Sequence, residues 1–106
     1  MASTFSIALT TVASEAKARE IAKAALDARL AACVQLFPIQ SLYVWKDELR
    51  EDPEIALHLK IRAEDFPAVQ ALIRRLHDYE TPEIVRIDIA EGDPAYMDWM
   101  ALCLRS

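Results

Sequence analysis

Hydrophobic and polar residues alternate along four stretches of the chain, at 5–11, 32–46, 54–62 and 85–89. Alternation with a period of two is typical of a strand that buries one face. Between the first and second stretches, and again between the third and fourth, hydrophobic residues recur every three or four positions, as in an amphipathic helix. The pattern therefore predicts the element order βαββαβ.

Capping residues define the predicted helices more closely. Ser14 can cap the first helix, which runs to about Leu30, and Pro67 fits the first turn of the second, which ends near His77. Asp93, followed by proline, predicts the start of a third, short helix near the carboxyl terminus. The sequence thus predicts three helices.

The second predicted strand carries two apolar faces. Pro38 within this strand has no N–H to donate to a hydrogen-bond ladder, so it predicts an edge position or a kink. Residues 47–52 predict the turn into strand three. Side chains alternate along residues 41–46, so Tyr43 and Trp45 share one face while Leu42 and Val44 share the other. A small domain covers one face of a strand well, so the second face predicts a partner subunit or a ligand cleft.

Right-handed crossovers place both main helices on one face of a four-stranded antiparallel sheet, which is a ferredoxin-like α+β sandwich. We predict that the opposite, helix-free face is polar with small residues. Its predicted members are Ser6, Ala8, Thr10, Ala56, His58, Lys60, Arg86 and Asp88.

Composition limits the classes of function. The 106 residues are 54% hydrophobic and contain no linker, so we predict a single domain over 1–106. A formal charge of -5 opposes binding to nucleic acid, and a single glycine, Gly92, excludes phosphate-binding glycine-rich loops.

The amino-terminal residues have neither a signal pattern nor a membrane span, so a cytoplasmic protein is expected. Cys33 and Cys103 lack metal-type spacing and are interpreted as small buried hydrophobes.

Several spaced motifs extend over nearly the whole chain. They are Ala31-Ala32-Cys33-Val34, Phe37-Pro38-Ile39, Ser41-x-Tyr43-x-Trp45-Lys46, Glu54, Leu59-Lys60, His77-x-Tyr79-x-x-Pro82-Glu83-Ile84 and Tyr96-x-x-Trp99. Together and in this order they resemble the CutA family, the divalent-cation tolerance proteins. The resemblance implies a ferredoxin-like protomer, a homotrimer, binding of copper or another divalent cation, and a regulatory role instead of an enzymatic one.

The chain departs from the family pattern at identifiable positions. Ile39 and Asp47 stand where members commonly have glycine. At the positions that the resemblance implies for copper binding the chain has Thr10, Leu76 and His77, so His77 is the one candidate metal ligand, with Asp78, Glu80 or Glu83 as oxygen donors across subunits. The alternative is that His77 caps the carboxyl end of the second helix.

A second group of residues is assigned to a ligand cleft or to the trimer interface. Lys60 beside Tyr43 and Trp45 could hold an anion; alternatively the two aromatic residues fill the contact between subunits and Lys60 pairs with Glu54 or Glu83. The full set is Tyr43, Trp45, Glu54, Lys60, Tyr79, Glu83, Tyr96 and Trp99.

Three function classes follow from these observations. The first is a trimeric regulator linked to a metal or small ligand, and the second is a stable trimeric scaffold that has no physiological metal. The third, a hydrolase of the acylphosphatase type, needs glycine and arginine after strand one, and residues 10–14 contain neither. We assign no catalytic residues and expect no enzyme.

Overall fold

A computed structural model describes residues 4–106 and has the predicted order of elements. The strands are β1 (Phe5–Val12), β2 (Ala31–Trp45), β3 (Glu48–Arg62) and β4 (Ile84–Asp88), and the helices are α1 (Glu15–Asp27), α2 (Phe66–Leu76) and α3 (Pro94–Cys103). The antiparallel sheet has the strand order β2-β3-β1-β4. The ferredoxin-like α+β fold with an additional terminal helix is therefore confirmed.

Helices α1 and α2 pack on one face of this sheet and form the core. Leu57, Leu59 and Ile61 of β3 are fully buried there, together with Ile21 of α1 and Ile73 of α2. No helix in the described range, 4–106, is long and apolar enough to cross a membrane.

Helix α1 ends earlier than predicted. The last helical residue is Asp27, and Arg29 has a positive φ of 59°. The Leu30 backbone N–H donates to the Ala25 carbonyl at 3.0 Å, which closes the helix and buries the Leu30 side chain. Leu30 lies at helical spacing from the apolar residues of α1, so the sequence pattern included it in the helix. In the structure its side chain packs against the end of the helix from the segment that follows.

The prediction for the helix-free face is wrong for β1 and β4. Ala8 lies directly opposite Leu59, and opposed residues project to the same side of a sheet, so Ala8 faces the helices. The same register turns Ser6, Thr10, Arg86 and Asp88 toward the helix side. Small residues on the central strand leave room for the close approach of the helices.

Larger residues consequently occupy the opposite face. Ile7 and Leu9 lie opposite Lys60 and His58 and are half-buried, while Val85 and Ile87 of β4 are 44% and 55% exposed. The face opposite α1 and α2 is thus apolar at its centre, and of the predicted members only Ala56, His58 and Lys60 lie on it. This face is not free of helices, because Tyr96 of α3 contacts Lys60 there.

The hairpin between β2 and β3 is longer than predicted. Lys46 and Asp47 alone form the turn, with φ values of 49° and 66°, and Glu48 already pairs with Trp45. Residues 48–52, predicted as a turn, are strand, because each of them pairs with a residue of β2. Most of them are polar because this end of the hairpin has no core to face. Pro38 stays paired opposite Ile55 on the edge strand, as its missing N–H allows.

Candidate functional site: a groove beside the hairpin

A cavity of about 900 Å³ opens between the outer half of the β2–β3 hairpin and the segment 77–83 that joins α2 to β4. We call it the hairpin groove. The residues that line it are Thr11, Ala13, Gln40, Ser41, Leu42, Tyr43, Trp45, Arg50, Asp52, Pro53, Glu54, Tyr79, Glu80, Thr81 and Glu83.

The most buried charged residue of the hairpin groove is Glu54. Glu54 is only 8% exposed, and its Oε2 accepts a hydrogen bond from the Tyr79 hydroxyl at 2.7 Å. Burial, followed by the hydrogen bond to Glu54, raises the pKa of Tyr79 well above its ordinary value. Tyr79 is therefore a permanent donor at neutral pH and ties the segment 77–83 to strand β3.

A second tyrosine and carboxylate pair lies farther along the hairpin. The Tyr43 hydroxyl donates to Asp52 at 2.5 Å, and this hydrogen bond raises the pKa of Tyr43. The guanidinium of Arg50, which lies opposite Tyr43 in the ladder, is 3.4 Å from the same carboxylate. Both tyrosines are thus held in place by carboxylates of β3.

His77 is bound through both ring nitrogens. Its Nε2 is 2.8 Å from the Thr11 carbonyl oxygen, and its Nδ1 accepts from the Tyr79 backbone N–H at 3.1 Å. The tautomer that satisfies both contacts is neutral, with the proton on Nε2. Its backbone N–H also donates to the Ile73 carbonyl and ends helix α2. His77 joins α2, strand β1 and the segment 77–83.

These contacts do not fit a copper centre within one subunit. The lone pair of Nδ1 is already used, and Asp78 and Glu80 lie near Lys17 and Lys46, at 3.5 and 3.9 Å. Within residues 4–106, no group of three or more His, Cys, Asp or Glu residues is arranged to hold a metal ion. Copper needs a defined set of imidazole or thiolate donors, and one engaged imidazole is not such a set.

The predicted residue set separates into two clusters. Tyr43, Trp45, Glu54, Tyr79 and Glu83 all line the hairpin groove. The remaining three lie beside helix α3, where Lys60 Nζ donates to the Tyr96 hydroxyl at 3.2 Å and lies 5.2 Å from its ring centroid, and the Tyr96 ring lies 5.5 Å from that of Trp99.

The side chain that the Lys60 ammonium contacts is thus Tyr96. The predicted contacts of Lys60 with Tyr43 and Trp45, or with Glu54 or Glu83, are not seen in the described residues.

Among the unpredicted residues of the hairpin groove are the two charged ones of the outer hairpin, Arg50 and Asp52. Arg50 and Asp52 fell in the stretch interpreted as a turn, although they alternate with Glu51 and Pro53 and continue the spacing that leads to Glu54. Extending the period of two backwards from Glu54 would have placed all three on one face of the strand.

The fold and the hairpin groove define a small α+β sandwich protein with an aromatic and acidic groove beside a long hairpin. Residues 6–102 match the family model described as CutA1 divalent ion tolerance protein. The chain therefore belongs to the CutA1 family, and the resemblance seen in the motifs is confirmed.

Individual relatives agree with this assignment. The divalent-cation tolerance protein CutA of Thermus thermophilus is 45% identical over 95 residues, which cover 89% of this chain and 92% of that protein. The protein CutA of Mus musculus is 38% identical over 96 residues, 90% of this chain and 54% of that protein. The chain thus spans about half the length of the mouse relative.

Solved structures show the same fold. The crystal structure of CutA1 from Shewanella sp. SIB1 superposes with a TM-score of 0.95 at 30% identity, with all of both chains covered. The periplasmic divalent cation tolerance protein CutA of Archaeoglobus fulgidus gives a TM-score of 0.93 at 34% identity, with 95% of this chain and 99% of that chain covered.

Proposed function

We propose that this protein acts as a homotrimeric, non-enzymatic regulator in the response to divalent cations, and that the hairpin groove is its site for a small ligand. The family supports the link to divalent cations. The observation that supports the groove most is the buried Glu54 carboxylate held by Tyr79, because a buried charge is costly and is retained where it organises a polar site.

Exposed apolar side chains support self-association. The hairpin presents Leu42, Val44 and Leu49 at 65%, 69% and 76% exposure, and the sheet face opposite α1 and α2 presents Val85 and Ile87. Both β2 and β4 are edge strands, which pair readily with another chain. A closed trimer would cover these surfaces and remove the edges. Sedimentation equilibrium tests this: a monomer at micromolar concentration would contradict it.

A growth assay tests the function itself. We expect that cells lacking the gene become more sensitive to Cu²⁺ and that the wild-type gene restores growth. The variant Glu54→Gln keeps the shape of the side chain but loses the charge, and we expect it not to restore growth. The matched control is Glu64→Gln, which makes the same change at an exposed carboxylate outside the groove. Full rescue by a folded Glu54→Gln protein would contradict the role of the groove.

Direct copper binding by His77 is a separate prediction. Because both ring nitrogens are engaged, we expect calorimetric titration with Cu²⁺ to give the same isotherm for the wild type, His77→Ala and Cys33→Ser. A binding phase lost only in His77→Ala would instead assign the metal to this residue, with donors from neighbouring subunits.

A scaffold without a physiological metal is the second candidate. Helix α3 favours it, because Trp99 and Leu102 are 44% and 78% exposed and offer a docking surface. A scaffold predicts a specific protein partner whose binding is lost in Leu102→Asp and is unchanged in Glu54→Gln.

We also propose a cytoplasmic location, which the two free thiols, Cys33 and Cys103, support. Cell fractionation tests it.

A further inference from the structure

We infer that the hairpin groove binds an organic ammonium ion, and specifically a linear aliphatic amine with two or more ammonium groups. The inference rests on the proposed function only in taking this groove as the ligand site. It assigns the chemical class of the ligand, which neither the family nor the resemblance names.

The charge of the lining residues selects a cation. Four carboxylates, those of Asp52, Glu54, Glu80 and Glu83, face one guanidinium, that of Arg50, among the residues of the groove. Arg50 is already 3.4 Å from Asp52. Walls that carry an excess of one charge concentrate ions of the opposite sign, so an anionic ligand is disfavoured and a cationic one is attracted.

The aromatic walls select an organic cation over a bare metal ion. Tyr43, Trp45 and Tyr79 line the same cavity as the carboxylates. An ammonium group gains from the negative face of an aromatic ring, and its methylene chain gains from burial against that ring. A strongly hydrated divalent cation needs several oxygen ligands in a defined geometry and gains nothing from the rings.

The chain itself places an ammonium group at the mouth of the groove. Nζ of Lys46 lies 5.6 Å from the centroid of the Trp45 ring and 3.9 Å from the carboxylate of Glu80. The Lys46 side chain is 72% exposed, so the contact is weak and a competing ligand can displace it. Trp45 and Glu80 thus lie close enough together for one primary ammonium to contact both.

The size of the groove selects a long ligand. A cavity of about 900 Å³ is at the upper end of the range for small-molecule sites and much larger than one ammonium group. Carboxylates lie both on the hairpin, at Glu54, and on the opposite wall, at Glu80 and Glu83. A flexible chain with an ammonium at each end would reach both walls.

Calorimetry with spermidine at fixed ionic strength tests the inference on the intact protein. We expect one site per subunit, with binding about tenfold weaker in Trp45→Leu and in Glu54→Gln. Glu64→Gln, which removes the same charge outside the groove, should bind as the wild type does. Lys46→Met removes the competing ammonium and should bind severalfold more tightly. Circular dichroism and sedimentation confirm that each variant is folded and assembled.

Two results would overturn the inference. If Mg²⁺ binds as well as spermidine and Trp45→Leu changes neither, the groove attracts any cation, and the proposed function stands without this ligand class. If spermidine does not bind while Glu54→Gln still fails the copper growth assay, the groove acts on a different ligand. Failure of the proposed function itself is a different outcome, seen as full rescue of growth by Glu54→Gln.

Discussion

Both halves of strand β3 pair with β2 in an antiparallel ladder, but their surroundings are opposite. In the half next to β1, Leu57, Leu59 and Ile61 are fully buried beneath the helices. In the outer half, Leu49 is 76% exposed and its neighbours along the strand, Glu48 and Arg50, are charged. Hydrogen bonding to one neighbour strand sets the shape of the hairpin, whereas burial sets the stability of the sheet. The outer half is therefore free to carry the groove.

The largest expected effect comes from breaking the buried half. Leu59→Ala removes a fully buried side chain between β1 and β2 and should lower the free energy of unfolding by about 3 kcal/mol. Leu102→Ala, at a 78% exposed position on α3, is the matched control and should change it by less than about 0.5 kcal/mol. Urea denaturation measures both. If the two variants lost the same free energy of unfolding, burial within one subunit would not explain the stability of the sheet.

A smaller effect is expected where the groove meets the outer half of β3. Tyr79→Phe leaves the buried Glu54 carboxylate without its donor and should cost about 2 kcal/mol at pH 7. The raised pKa of Tyr79 means that the folded state retains its proton to higher pH than the unfolded state does. This stability is fully present below the ordinary tyrosine pKa and is lost as the pH rises above it.

The wild type should consequently lose stability more steeply than Tyr79→Phe as the pH is raised above about 10. Urea denaturation at a series of alkaline pH values measures the slope. Parallel curves for the two proteins would show that Tyr79 titrates alike in the folded and unfolded states, contrary to the contact with Glu54.

The smallest effect is expected at the tip of the hairpin. Asp47 has a φ of 66°, which glycine adopts without strain, so Asp47→Gly should raise the free energy of unfolding by about 1 kcal/mol. Arg29→Gly is an instructive control, because Arg29 has a φ of 59° but also donates to the carbonyl oxygens of Leu102 and Cys103, both at 3.2 Å. We expect no stabilisation there. Thermal unfolding measures both variants, and a gain at Arg29 alone would reverse this interpretation.

Much of the fold could be predicted because its signals are local. Ser14 caps α1 through a hydrogen bond from the Lys17 N–H at 3.2 Å, and Asp93 caps α3 through those of Ala95 and Tyr96. The site was only partly predictable. Glu54 and Tyr79 were both identified, but their hydrogen bond joins residues 25 positions apart, and Arg50 and Asp52 were assigned to a turn.

By itself, the sequence determined the order of helices and strands, the helix caps and the family, because periodicity, capping and spaced motifs are all readable along the chain. Only the tertiary structure decided which face of β1 meets the helices, where the hairpin turns, and that Lys60 pairs with Tyr96 away from the groove. Alternation is symmetrical with respect to the two faces of a strand. The choice between them depends on how closely helices from elsewhere in the chain can approach.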